Sequence, residues 1–197
     1  MEGRLVLSQN PEKIRAAMEA RRQNEPPKAF PAVMVDLLTT GNVPGSQRSF
    51  LLYNVFLKNR SVPIPVAVEK TSDGYRVDWQ TFIECHDEVL KKFFGAPSSE
   101  PSRFRVSLRR AHYFGPPVPG QDRERIAYKV EAPTRDESFY VWADKNSRLF
   151  KDQLSAGGRG GWDAESYVIA ELRWRGDDRQ GRWVGLEKIT SDSWRPE

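Results

Sequence analysis

Between residues 73 and 94 the chain runs Asp73-Gly74-Tyr75-Arg76-Val77-Asp78-Trp79 and passes directly into Gln80-Thr81-Phe82-Ile83-Glu84-Cys85-His86-Asp87-Glu88-Val89-Leu90-Lys91-Lys92-Phe93-Phe94. A turn dipeptide, a short alternating strand and an amphipathic helix follow one another with no spare residue. Asp-Gly supplies the positive backbone angles that a tight hairpin needs. Tyr75, Val77 and Trp79 then share one strand face at period two. Asp78 is placed to cap the helix, with Thr81-x-x-Glu84 as a competing capping box. Phe82, Ile83, Val89, Leu90, Phe93 and Phe94 make one apolar stripe, stopped by Gly95-Ala96-Pro97. A stripe that broad must be buried, and the preceding hairpin is the nearest sheet to bury it. The segment therefore demands an α+β arrangement.

The rest of the N-terminal half agrees. Asn10-Pro11-Glu12 opens a helix over about 11–23, with Ile14, Ala17 and Met18 as its narrow apolar edge. Ala32 to Leu38 is an apolar run whose length leaves helix and strand both open. Gly41 to Ser46 reads as a loop, and Ser49 to Leu57 as a strand rich in aromatic and branched residues. Val62 to Glu69 is a second strand, where Pro63 and Pro65 place two missing N–H groups on one side and predict an unpaired edge. The hairpin spans about 49–79 and the following helix about 80–94. Together they define an N-terminal unit over 1–96.

After the linker-like stretch 97–102 the texture changes. Phe104, Val106 and Leu108 alternate with Arg103, Arg105, Ser107 and Arg109, a strand with one buried and one wet face. Strands follow at 125–131 and 138–143, then a short helix through Leu154 that Asn146 or Ser147 can cap. Strands at 167–175 and 182–190 close the domain, 103–197, joined by the polar turn Gly176 to Gly181. Three strands, a short helix and two strands resemble the element order of the OB-fold, a five-stranded barrel. An SH3-like barrel or an open α+β sheet has the same string of elements. The expected fold class is thus α+β, a helix plus hairpin-helix unit packed with a five-stranded OB-like or SH3-like antiparallel barrel. Residues 49–94 also resemble a fragment of an NTF2-like cone with too few strands to complete it. The Asp-Gly-aromatic-x-Val-Asp-Trp joint, the arginine strand and Trp194 resemble bacterial proteins of unknown function, a resemblance that implies no activity.

Composition removes several classes of function. Lone Cys85 excludes an intramolecular disulfide, and two histidines with one cysteine cannot assemble a Cys/His zinc site. No metal or cofactor is expected. The 31 basic residues nearly balance 27 acidic ones, so the net charge of +4 is mild for a dedicated nucleic-acid or membrane-surface protein. No run reaches the length of a membrane-crossing helix, and Met1-Glu2-Gly3-Arg4 lacks the apolar core of a signal peptide. Leu5-Val6-Leu7 begins abruptly, as an excised segment would. These features leave the compartment open between the cytoplasm and, where an upstream signal or anchor was removed, the envelope.

Candidate chemistry is sparse. Cys85 and His86 adjoin, with His112 at the end of the arginine strand, but neighbours on a helix diverge by about 100° and no oxyanion turn flanks the thiol. Asp78 with Asp73, or Glu84 with Asp87 and Glu88, are explained by capping and helix solvation. Gly157-Gly158-Arg159-Gly160-Gly161 lacks the Lys-Ser/Thr ending of a phosphate loop and reads as a flexible connection. No catalytic set converges. The sharpest binding candidates are Arg103, Arg105, Arg109, Trp142, Arg173, Arg175 and Trp183, accompanied by Arg110, Trp174 and Arg182, because basic grooves with stacking aromatics bind single strands. Interspersed carboxylates, among them Glu131, Asp144 and Glu171, offer these arginines cross-strand partners instead. Trp194 and Ile189 are expected to cover an open barrel end. These features point first to a non-enzymatic binding, interaction or assembly module with a protein partner. Single-stranded nucleic-acid binding is the alternative, and a small-ligand or hydrolytic pocket beside the 82–94 helix is the third.

Overall fold

Period-two patterning in the first half becomes one antiparallel sheet in the computed structural model, which describes residues 11–24, 31–42, 49–72, 74–121, 123–155, 161–162, 164–177, 179, 181–192 and 194. After helix α1 (Pro11–Asn24), strands β1 (Ala32–Asn42), β2 (Ser49–Leu57), β3 (Ile64–Thr71) and β4 (Gly74–Val77) pair in sequence order. The open choice over Ala32–Leu38 is settled as strand, because Val35 and Leu37 find register partners in Val55 and Tyr53. β4 pairs only with Val68–Thr71, so no described strand flanks the proline-bearing half of β3 on that side. That is the side on which missing N–H groups cost nothing. The Asn10 cap, loop positions 43–46, Asp73 and Gly157–Gly160 lie outside the described residues.

The stretch after Asp78 is two helices rather than one. α2 (Trp79–His86) begins where Asp78 accepts from Thr81 N at 3.1 Å and from Thr81 Oγ1 at 2.6 Å, so Thr81 serves the Asp78 cap and not a box of its own. Trp79 accordingly leaves the strand face predicted for it and packs on Phe82 at 5.7 Å between ring centroids. Glu88 then adopts φ 52°, ψ 44°, a left-handed conformation that ends one helical path before α3 (Val89–Gly95) starts another. Arg60 donates to the carbonyls of Cys85 at 3.1 Å and His86 at 2.9 Å, a cation on the negative end of α2. Asp78→Ala should cost about 1–2 kcal/mol of stability, measured by denaturant titration, since both cap and buried hydroxyl lose their acceptor.

Asp87, between the helices, receives two hydrogen bonds from Arg21 of α1, the Nη2 one at 2.9 Å, and lies 2.8 Å from His86 Nδ1. Burial alone would raise its pKa, but hydrogen bonds and charge from Arg21 and His86 outweigh that and hold the carboxyl below its ordinary value. A depressed carboxyl stabilises the fold above its unfolded pKa of 3.8 and loses that contribution as pH falls through the folded value. The stability gap between the wild type and Asp87→Asn should therefore shrink as pH falls below 3.8. Urea midpoints taken across that range check it.

The chain divides into two compact units, within residues 1–87 and over 88–196. Residues 88–96 thus group with the second unit, whereas the sequence reading ended the first at 96. Leu57, Ile64, Val66 and Cys85 form the core of the first, with Val55, Val68, Val77 and Phe82 against them. Leu90 and Phe93 instead join Phe104, Val106, Leu108, Tyr128, Val130, Val141 and Leu172 in the core of the second. One apolar stripe in sequence serves two cores.

The second unit holds β5 (Ser102–Arg110), β6 (Arg125–Glu131), β7 (Ser138–Asp144), β8 (Ser166–Arg175) and β9 (Trp183–Ser191), a five-stranded sheet. Pairing runs β5-β6-β7-β9-β8, and β8 returns to β5. All pairs are antiparallel except β7 with β9, which meet in parallel at Trp142 and Gly185. This one parallel contact departs from the all-antiparallel expectation, because the segment between β7 and β8 sends the chain across the sheet before β9 fills the gap. Ser147 Oγ caps that segment by accepting from Phe150 N at 3.1 Å, and its helical part, Phe150–Ser155, is wound as a π-helix. Gly176 (φ 76°) makes the β8–β9 turn possible, since a Cβ there would lie 2.2 Å from the Gly181 carbonyl oxygen. Inside the ring, the fully buried Tyr128 hydroxyl has no hydrogen-bond partner among the described residues, and burial pushes its pKa up. Tyr128→Phe should be neutral or stabilising by up to about 1 kcal/mol in a thermal melt, because it removes an unpaid desolvation cost.

Candidate binding surface

Alternation along each strand decides which side chains leave the core. With Phe104, Val106 and Leu108 inside, Arg103, Arg105, Ser107 and Arg109 point outward from β5. Most of these guanidinium groups are occupied. Arg103 Nε donates to Glu171 Oε2 at 3.1 Å, directly across the β5–β8 pair. Arg105 is 5 % exposed and donates to the Trp194 carbonyl at 2.8 Å. Arg109 lies 3.9 Å from Glu131, which also takes Lys129 at 3.1 Å. Arg173 donates to the Ser99 carbonyl at 2.7 Å. Arg175 grips Glu187 through two bonds of 2.9 and 2.5 Å, a bidentate contact that raises its pKa further. The predicted arginines line the outer surface of β5 and β8, but as partners of carboxylates and carbonyls. Such pairing is what interspersed acids on neighbouring strands favour.

Trp194 lies on the flank of this surface. Its Nε1 donates to the Val106 carbonyl at 3.0 Å, and its ring meets Tyr167 edge-on at 4.9 Å. It seals the outer side of β5, while Ile189 is buried in the core. Trp174, expected among the binders, packs on the core and donates to the Phe93 carbonyl at 2.9 Å.

The two tryptophans proposed for binding sit elsewhere on the ring. Trp142 points outward from β7 between core residues Val141 and Ala143, yet is only 3 % exposed. Tyr113, in the connection between β5 and β6, covers it edge-on at 5.1 Å and meets Tyr140 at 5.0 Å in the same way. Gly185 opposite Trp142 is closely approached, since a Cβ there would lie 2.6 Å from Glu187 Oε1. Trp183 is half-buried beneath Arg125, whose Cζ stands 4.5 Å from the ring centroid. Arg125 also donates to the Pro119 carbonyl, which ties the β5–β6 connection to this edge.

Beside the Tyr113 cluster is a second aromatic group that sequence reasoning passed over. His112 stacks on Trp162 at 4.0 Å with an interplanar angle of 17°, and Arg110 Cζ lies 4.3 Å from the same ring. Phe114 is 92 % exposed, 6.2 Å from His112 between centroids. The signal was present as Ala111-His112-Tyr113-Phe114-Gly115-Pro116-Pro117, three aromatic rings in succession ahead of a Gly/Pro stop. What it lacked was any period, and a loop's aromatic residues acquire a common face only through the strands that anchor it.

Cys85 is buried in the core of the first unit, and His86 engages Asp87, so these neighbours serve different environments. Among the described residues no group of three or more His, Cys, Asp or Glu side chains could hold a metal ion, and no helix is long and apolar enough to cross a membrane. Comparison with protein-family models, curated proteins and solved structures finds no match to this chain.

Proposed function

We propose that this chain is a non-enzymatic binding or assembly module of bacterial type, that its five-stranded unit is an OB-like barrel, and that a protein partner docks on the β6–β7 face beside the β5–β6 connection. One observation carries the reading: Tyr113, Tyr140 and Trp142 are layered on that face while Phe114 stands 92 % exposed next to them. In OB barrels the second and third strands and the first loop form the ligand face, and here those are β6, β7 and the segment 111–124. Aromatic anchors held by packed neighbours are the residues that dominate protein interfaces. The arginines of β5 and β8 are engaged within the chain, which favours a protein partner over a polyanion. A photoreactive phenylalanine analogue at position 114 should give a specific protein adduct in cells, lost on Tyr140→Ala, with none from position 188 on β9. Equal adduct yields from 114 and 188 would remove this face from consideration.

The stack of His112, Trp162 and Arg110 favours single-stranded nucleic acid as a second reading, since bases stack on such rings with about 1–3 kcal/mol each. Titrating an oligonucleotide at low salt should then quench tryptophan fluorescence, with affinity falling as salt rises. Unchanged fluorescence at low salt rejects it.

A further inference from the structure

Strand β1 differs from every other strand of its sheet in having exposed residues along nearly all of its length. Val33, Met34, Val35, Leu37 and Leu38 are between 47 % and 65 % exposed, and they occur on both faces. On one face Val35 and Leu37 continue the row of Val55 and Tyr53 from β2; on the other Met34 lies beside Phe56. As the first strand in the order β1-β2-β3-β4, β1 pairs among the described residues on one side only, and leaves a row of backbone donors and acceptors along the other. The opposite edge, β4, is four residues long and next to Lys70, a conventional protection against strand addition. β1 has eleven residues, Asp36 as its single charge, and no proline or lysine.

We infer that β1 is the interface of a two-fold dimer, formed when the same strand from a second copy adds antiparallel to it. The identity of the occupant follows from self-complementarity. A strand that is apolar on both faces needs a neighbour apolar on both faces, and β1 offers that pattern to its own copy. Antiparallel addition of identical edges is also isologous, so it closes after two copies instead of growing into a fibre. Its area reaches the required size. At about 3.3 Å per residue the edge is roughly 36 Å long, and with one side-chain layer per face about 15 Å wide. Doubling that strip gives on the order of 1,000 Å², at the lower bound for a specific interface, before its backbone hydrogen bonds are added. The register irregularities between Ala32 and Met34 and between Leu37 and Thr39 leave two regular runs along the edge, Met34–Leu37 and Thr39–Asn42, of which the first is the apolar one. A register setting Asp36 beside its own copy would be opposed by like charge.

Light scattering coupled to size-exclusion chromatography of the full chain, over micromolar concentrations, should give the mass of two copies. Val35→Lys with Leu37→Lys should halve that mass while far-UV circular dichroism stays unchanged, because both side chains are already exposed in the single copy. Tyr75→Lys, on the opposite edge, should remain dimeric. Backbone amides 33–39 should exchange slowly in the dimer and faster on dilution. A single-copy mass at every concentration overturns the inference, whether another protein or a different part of the chain covers the strand. So does open-ended association, or a dimer indifferent to the lysines on β1.

Discussion

Phe93→Ala is expected to remove about 3–5 kcal/mol from the five-stranded unit, the usual cost of truncating a buried phenylalanine. Phe93 lies on α3, outside the strands, yet it is buried with its ring 4.9 Å from Phe104 and 6.3 Å from Trp174. Its carbonyl also accepts from Trp174 Nε1 at 2.9 Å, and next to it Phe94 stacks on Phe139 at 4.2 Å. The small helix therefore holds β5, β7 and β8 through the rings of Phe93 and Phe94. For a unit of this size the loss corresponds to a fall of roughly 15–20 °C in Tm. Phe82→Ala, ahead of the break, should leave that transition in place and weaken the sheet unit instead, because Phe82 packs on the other core. A chain begun at residue 103 should fail to give the cooperative melt of the five-stranded unit, and one begun at Glu88 should retain it. Differential scanning calorimetry of these four proteins checks both statements.

Trp142→Ala should cost a similar amount, about 3–5 kcal/mol, although the side chain points away from the ring's interior. At 3 % exposure it is a core residue of a second, outer layer, with Tyr113 above it and Gly185 opposite. Its loss removes one of the two rings on which Tyr113 packs, so the near-ultraviolet circular dichroism of the tyrosines should weaken together with the fall in Tm. Phe114→Ala should leave both unchanged, since a ring 92 % exposed contributes little to the fold. If Phe114→Ala abolishes the adduct chemistry of neighbouring positions and leaves Tm intact, docking and folding are separated on this face.

Much of the secondary structure was legible because it rests on local rules. Arg125–Glu131 and Ser49–Leu57 fall where branched and aromatic residues alternate, and Asp78 caps where a short acceptor precedes a helical period. Ser147 likewise caps the segment leading to Leu154. The break at Asp87-Glu88 was illegible for the opposite reason: a continuous stripe from Phe82 to Phe94 satisfies helical period on both sides of it. What divides the stripe is the choice of core, a nonlocal property. The arginines were legible as outward residues, by parity with Phe104 and Val106, but their engagement depends on strand neighbours as far away as Glu171 and Glu187.

By itself, then, the sequence determined the α+β class, the order of the strands after Ser102 and which face of β5 is apolar, since these follow from periodicity, capping and turn chemistry within a few residues. Only the tertiary structure decided that β8 returns to β5, that Trp142 is buried on an outward face, and that His112, Trp162 and Phe114 gather beside it. Those outcomes depend on contacts between residues tens of positions apart, and a one-dimensional pattern carries no information about which distant surface will cover which.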